Sequence, residues 1–360
     1  MINVTQPFLP DFEEYNELIK GIWERKWLTN NGPLVNELEL RLKEHLNVNH
    51  LLYLSNGTIA LQIAIKALEL KGDIITTPFS YVATTSSIIW EGCNPVFVDI
   101  DPHTFNIDPT MIEEAITSKT TAILATHVFG NPCAIDAIQS IAKKHNLKVI
   151  FDAAHSFGTK FRKRSLFDFG DIATTSFHAT KLFHTIEGGA VFTNDKELLE
   201  KMAWLRNFGH HGSEEFRAVG INGKNSEFHA AMGLVNIRHI YAILEKRSEL
   251  HAFYDQRLQG LRVIRQKIEL DTEYNHSYYP IVFESETLLL SSIAELNANR
   301  VFPRRYFWPS LNTISYTRGK YHMPVSEDIS RRILCLPLFH AMTEPDVSLV
   351  CRLLLRIQNN

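Results

Sequence analysis

Lys148-Val149-Ile150-Phe151-Asp152-Ala153-Ala154-His155 is an apolar run that ends in a carboxylate. Without polar alternation, such a run reads as a strand buried on both faces, the habit of parallel sheets covered by helices. Open α/β sheets gather ligands beyond the C-terminal ends of their strands, so Asp152 is delivered to a site. Outward from it, β-rich runs lie at Leu51 to Leu54, Ile74 to Thr77, Pro95 to Val98, Ala122 to Thr126, Ile172 to Ser176 and Gly189 to Thr193. Helix-like stretches at Thr58 to Leu70, Pro109 to Ile116 and Ala134 to His145 separate several of them. Strand alternating with helix predicts βαβ units and a doubly wound, mostly parallel α/β sheet.

From Phe228 to about Leu258 the pattern turns long and helical, with Ala230, Ala231, Leu234, Ile237, Ile240 and Leu244 at three- and four-residue steps. Such a helix can bridge two domains. Strand candidates Ser277 to Phe283 and Val301 to Tyr306, with a closing helix Glu344 to Ile357, predict a smaller α+β domain. The expected division is 1–245 for the large domain and 246–360 for the small one.

The chain has 360 residues, 45% of them hydrophobic and 21% charged, as in ordinary globular proteins. A formal charge of −3 with scattered Lys and Arg argues against a nucleic-acid partner and for small-molecule work. Met1-Ile2-Asn3-Val4-Thr5-Gln6-Pro7 has neither the basic start nor the apolar core of a signal peptide, and no run approaches the ~20 residues of a membrane span. A cytoplasmic protein without membrane association is expected. Cys93, Cys133, Cys335 and Cys351 are far apart and form no Cys-x-x-Cys pair, so four buried thiols are expected.

The chemistry comes from Ser176-Phe177-His178-Ala179-Thr180-Lys181, followed by Glu187-Gly188-Gly189-Ala190. A lysine among Phe177, Leu182 and Phe183 is costly to bury unless it is used. Pyridoxal phosphate needs a lysine for a Schiff base and a carboxylate that keeps its ring nitrogen protonated, and Lys181 with Asp152 supplies both. Ser55-Asn56-Gly57-Thr58 reads as a strand, a tight turn and a helix start whose free N–H groups can hold a phosphate. Taken alone, Thr58 reads equally as an ordinary helix cap, and Asp152 as a capping carboxylate after a strand. Pro78-Phe79-Ser80-Tyr81 places two aromatics in a strand-to-helix connection. Tyr81 is the choice for a face against a planar ring, with core packing the alternative, and Phe79 is the core residue. His178 and His184 flank Lys181 and His210-His211 form a pair, but no zinc spacing is met and no metal is expected.

In this order, Asn56-Gly57-Thr58, Pro78-Phe79-Ser80-Tyr81, Asp152-Ala153-Ala154-His155, Ser176 to Lys181, Glu187-Gly188-Gly189 and Gly220 to Glu227 resemble the DegT/StrS family of nucleotide-sugar aminotransferases, over nearly the whole chain. The resemblance implies a fold type I enzyme dependent on pyridoxal 5′-phosphate, with a mostly parallel seven-stranded sheet and a smaller C-terminal domain. It also implies roles at matching positions. Lys181 would carry the cofactor and shuttle protons, Asp152 would pair with the pyridinium nitrogen, and Gly57, Thr58 and Ser176 would bind the phosphate. His155 stands where the family often has glutamine near the ring hydroxyl, a departure that still permits a hydrogen bond. Asn222 and Lys224 match a loop that reaches the phosphate in a partner subunit, which makes a homodimer with shared active sites the expected state. The family's dehydratases replace the Schiff-base lysine with histidine, and Lys181 argues against that branch.

Val4 to Pro10, Lys26 to Pro33 and Phe151 to His155 are similar to a branch that aminates C4 of dTDP-4-keto-6-deoxyglucose for bacterial O-antigen, with glutamate as donor. Candidate sugar contacts are Thr29, Asn30, His184, Tyr306, Trp308 and Asn312, since aromatic and amide groups suit a sugar. The stretch around Tyr306 reads equally as domain core with a solvated edge. Amination of a 3-keto sugar is the alternative within the family, and a non-catalytic protein that binds the cofactor is the alternative outside enzymes. A nicotinamide enzyme is set aside because no Gly-x-Gly-x-x-Gly follows a strand.

Overall fold

The computed structural model describes residues 1–317 and 321–359. Its central sheet has seven strands: β1 His50–Leu54, β2 Asp73–Thr76, β3 Asn94–Phe97, β4 Thr120–Thr126, β5 Lys148–Asp152, β6 Ile172–Ser176 and β7 Gly189–Thr193. Their spatial order is β1-β7-β6-β5-β4-β2-β3. Strand β7 runs antiparallel to both of its neighbours, and the other pairings are parallel. All seven expected strands are present.

Side-chain parity explains the apolar runs. Val149 and Phe151 join the core on one face of the sheet, and Ile150 joins the core on the other. The same alternation sends Leu51 and Tyr53 one way and Leu52 and Leu54 the other. Successive residues of a strand point to opposite faces, so a sheet covered twice requires an unbroken apolar sequence. Helices α1 Phe12–Arg25, α2 Pro33–Leu46, α5 Ile135–His145 and α7 Glu227–Arg238 cover the first face; α3 Gly57–Ala67, α4 Val82–Trp90 and α6 Lys196–Arg206 cover the second.

Two helix expectations are corrected. Pro109 to Ile116 forms two short 3-10 turns, Pro109–Met111 and Glu113–Ala115. The long helix from Phe228 is two, α7 and α8 Ile240–Arg257, parted at His239. The apolar stripe changes partner farther along, within α8: Ala230, Ala231, Leu234 and Ile240 pack in the large core, whereas Leu250 and Tyr254 pack in a separate C-terminal core. The His239 imidazole is held 3.0 Å from Glu14 of α1.

The C-terminal core lies on an antiparallel sheet, β8 Val263–Arg265, β9 Tyr279–Phe283 and β10 Ile333–Leu336, with β9 central. Helices α9 Glu286–Ala298 and α11 Glu344–Asn359 cover it. The strand expected over Val301 to Tyr306 shortens to Val301–Phe302, which pairs in parallel with Ile2–Asn3. The first residues therefore attach to the small domain, a departure from an unbroken 1–245 unit. Helix α10 Pro324–Arg332 ties the two bodies together, because buried Asp99, just beyond β3, caps it. The Asp99 carboxylate accepts the Val325 and Ser326 N–H groups, both at 2.8 Å. This cap fixes the start of α10 against the end of β3. All four cysteines are buried and free. Among the described residues, no helix is long and apolar enough to cross a membrane.

Candidate active site

A cavity of about 520 Å³ opens at the C-terminal ends of β1, β5 and β6 and is lined by Gly57, Thr58, Tyr81, Asp152, His155, Ser176, Lys181 and Tyr306 among others. Parallel strands deliver their following loops to this edge, and Tyr278, Tyr306 and Phe307 join them from the C-terminal part of the chain.

The turn from β1 into α3 packs closely against β6 and β7. Asn56 caps the helix by accepting the Ile59 N–H at 2.8 Å. The Gly57 and Thr58 N–H groups donate to no acceptor among the described residues and face the positive end of the helix dipole. A Cβ on Gly57 would lie 2.9 Å from the Ser176 Cβ, and one on Gly189 would lie 2.5 Å from the Asn56 carbonyl. These two glycines let the turn settle against the ends of β6 and β7, which brings the Ser176 hydroxyl beside the free N–H groups. That donor set fits a phosphate.

Asp152 ends β5 with even parity, like Ile150, and so faces the α3 and α4 side. Thr84 of α4 donates its hydroxyl to the carboxylate at 2.7 Å, and the Ala154 N–H donates at 3.2 Å. Ser80 lies 2.7 Å from the Thr84 hydroxyl and 3.1 Å from that of Thr126, so a short hydroxyl chain orients the acid. Burial raises the Asp152 pKa; Thr84, the Ala154 N–H and the Lys181 charge oppose the rise. A buried carboxylate of this kind gains from a cationic partner such as a protonated ring nitrogen. Lys181, half-buried, has its pKa pulled down to about 8 by desolvation, against the attraction of Asp152.

His155 lies in a stack of aromatic rings. Its plane is within 5° of Phe129 and 6° of Phe307, with centroids 6.1 and 5.7 Å away. Its Nδ1 accepts the Phe129 N–H at 3.2 Å, which leaves the proton on Nε2. Burial holds its pKa well below the usual histidine value, with the Lys181 charge adding to the effect. A neutral imidazole with one free donor results.

Several expected site residues lie elsewhere. His184 does not line the cavity: its Nε2 is 2.7 Å from the Phe8 carbonyl and its Nδ1 accepts the Ile186 N–H, so both ring nitrogens serve the fold. Asn312 is buried and bonded to Ser310, Tyr321 and Glu327, which pins the segment carrying Tyr306 instead of presenting an amide to a sugar. Trp308 is turned outward beneath the Arg305 guanidinium at 4.1 Å. Thr29 and Asn30 sit on an exposed loop off the cavity, where the Trp27 indole donates to the Thr29 carbonyl. Asn222 and Lys224 are also off this chain's cavity, with the lysine amine 2.8 Å from the Asn222 and 2.7 Å from the Asn207 side-chain oxygen. Thr84, Tyr278 and Phe307 were not foreseen. Thr84 lies three residues after the quoted aromatic turn, but nothing local marks its aim, and the aromatic pair is brought in by small-domain packing. Among the described residues, no group of three or more His, Cys, Asp or Glu is placed to hold a metal ion.

The sequence profile of the DegT/DnrJ/EryC1/StrS aminotransferase family matches residues 11–355. A dTDP-4-amino-4,6-dideoxy-D-glucose transaminase from Shigella dysenteriae is 43% identical, covering 96% of each chain. One of the same name from Escherichia coli is 38% identical, covering 98% of each. The crystal structure of DesI in the presence of its TDP-sugar product aligns with a TM-score of 0.93 at 34% identity, covering 98% of this chain and 92% of that one.

Proposed function

The chain belongs to the DegT/DnrJ/EryC1/StrS family of pyridoxal phosphate-dependent sugar aminotransferases, and on that premise we propose that it moves the amino group of L-glutamate to C4 of dTDP-4-keto-6-deoxy-D-glucose. The products would be 2-oxoglutarate and dTDP-4-amino-4,6-dideoxy-D-glucose, a sugar for O-antigen assembly. The observation that carries the reading is one cavity holding a lysine amine with a lowered pKa, a buried carboxylate and a helix start with free N–H groups. The choice of sugar is supported by the two transaminases named above.

The residues present fit pyridoxal 5′-phosphate, which when bound supplies an electron sink that acidifies the carbon bearing the amine. Gly57, Thr58 and Ser176 would hold its phosphate, and Asp152 would keep the ring nitrogen protonated, steadied by Thr84. The His155 Nε2–H would serve the ring oxygen, and Tyr81 would cover one face. The Lys181 amine would tether the cofactor, take the α-proton from glutamate and return a proton to C4 of the sugar. With Asn222 and Lys224 off this chain's own cavity, we assign them to the phosphate in a partner subunit of a homodimer, which sedimentation at micromolar concentration would detect. Of the expected sugar contacts, Tyr306 lines the cavity and remains the proposed one.

The test is conversion of the 4-keto sugar by purified protein with glutamate and cofactor, read by product mass and by NMR assignment of the new amine. Amine at C4, and none after Lys181→Arg, is the expected result. Conversion of the 3-keto isomer alone would replace the C4 assignment.

A further inference from the structure

An amino acid donor brings an α-carboxylate to the reacting carbon, and a hydrogen-bond donor placed beside that anion favours its binding. Among the described lining residues there is no arginine, and the basic side chains are Lys181, His155 and His178. Lys181 is committed to tethering and proton transfer. His155 faces the ring stack, with Nδ1 already bonded to Phe129. Of the nearby arginines, Arg305 is paired with Glu286 at 2.9 Å and its guanidinium lies over the Trp308 ring.

His178 is the remaining basic group among the described lining residues. It sits one turn before the reactive lysine, whose backbone N–H donates to the His178 carbonyl at 2.8 Å. Its ring is held in one orientation, because Nδ1 accepts the Thr180 N–H at 3.2 Å and lies 2.8 Å from the Thr180 hydroxyl. The ring proton then belongs on Nε2. That nitrogen faces the Glu187 carboxylate at 3.6 Å, beyond good hydrogen-bond length, and both side chains border the cavity. An oriented N–H beside the lysine, with only a distant carboxylate opposite it, is a place where a second carboxylate can bind.

We propose that His178, oriented by Thr180, donates its Nε2–H to the α-carboxylate of the amino donor, with Glu187 standing in at that position when no donor is bound. The assignment rests on the aminotransferase reading and deepens it. It separates the two half-reactions, because the amino sugar carries no carboxylate at the reacting carbon and has no use for His178.

The experiment compares the intact holoenzyme with His178→Phe, which fills the space without a donor, and His178→Gln, which restores an N–H. Each half-reaction is followed by the cofactor's absorbance, using L-glutamate, its α-amide, and the dTDP-amino sugar run in reverse. His178→Phe should raise the KM for glutamate roughly 10- to 100-fold, as expected for one hydrogen bond to a charged group, and leave kcat within a few-fold. It should not change the amino-sugar half-reaction or the resting spectrum. Wild type should discriminate strongly between glutamate and its α-amide, His178→Phe should not, and His178→Gln should recover part of the difference. Equal losses with glutamate and amino sugar, or undiminished discrimination in His178→Phe, would overturn the assignment. Wild type that converts neither amine would instead remove the transaminase reading beneath it.

Discussion

At the scale of single residues, the cavity sets Lys181 between two opposed influences. Desolvation favours the neutral amine and the Asp152 carboxylate favours the ammonium; desolvation prevails, and the pKa falls to about 8. Only the neutral amine attacks a carbonyl, so the nucleophilic fraction rises as pH increases through 8 and levels off above it. Cofactor-free protein mixed with pyridoxal phosphate should bind it with a rate that climbs between pH 7 and 8.5 and is flat by pH 9.5, read by stopped-flow absorbance. A rate still climbing at pH 10 would mean that the amine behaves as an ordinary surface lysine. Single residues also show the limit of local reading. His184 follows the reactive lysine closely and has a chemistry-bearing side chain, yet the carbonyl of Phe8 claims it.

At the scale of elements, the proposed phosphate cradle depends on three backbones in contact: the turn at Asn56-Gly57, the end of β6 and the start of β7. A Cβ at position 189 would meet the Asn56 carbonyl carbon and oxygen, both at 2.5 Å, and the Gly57 nitrogen at 2.7 Å. Backbone cannot swing aside as a flexible side chain does, so the turn must move. Gly189→Ala should cost roughly 1–3 kcal/mol in denaturant unfolding, as overpacked sites do, and should weaken pyridoxal phosphate binding far more than that loss alone explains. Unchanged cofactor affinity would show that the N–H groups of Gly57 and Thr58 are not the cradle. The Gly188-Gly189 pair was visible in the sequence as the start of a strand, but its need for the smallest residue was not, because the clashing carbonyl belongs to a turn far away in the chain.

At the scale of the whole molecule, burying titratable rings beside the site makes the fold sensitive to acid. His127 is fully buried at the end of β4, stacked on Phe151 at 4.6 Å and accepting the Cys133 N–H, and desolvation pulls its pKa down to about 3. His155 is held neutral in the same way. Both have folded pKa values below the unfolded one, so between pH 6.5 and about 3 the unfolded chain binds more protons. The stability these groups retain above pH 6.5 is lost as pH falls, at about 1.4 kcal/mol per unit for each fully protected ring. Calorimetry from pH 7.5 to 4.5 should show Tm dropping steeply below pH 6. His127→Gln, which keeps an acceptor for the Cys133 N–H, should flatten that slope, and an identical slope in the variant would remove His127 as a cause.

By itself the sequence determined the sheet, the cofactor chemistry and the family. Apolar runs without alternation follow from a sheet covered on both faces, and the Asp152, Lys181 and Asn56-Gly57-Thr58 signals are each complete within a few neighbouring residues. The tertiary structure alone decided which way the supporting groups point. The Thr84 hydroxyl on Asp152, the Phe129 and Phe307 rings around His155, the diversion of Asn312 into a pin and the break at His239 all come from elements distant in the chain. Their partners are chosen by how distant elements pack in three dimensions, and no periodicity along the chain encodes that choice.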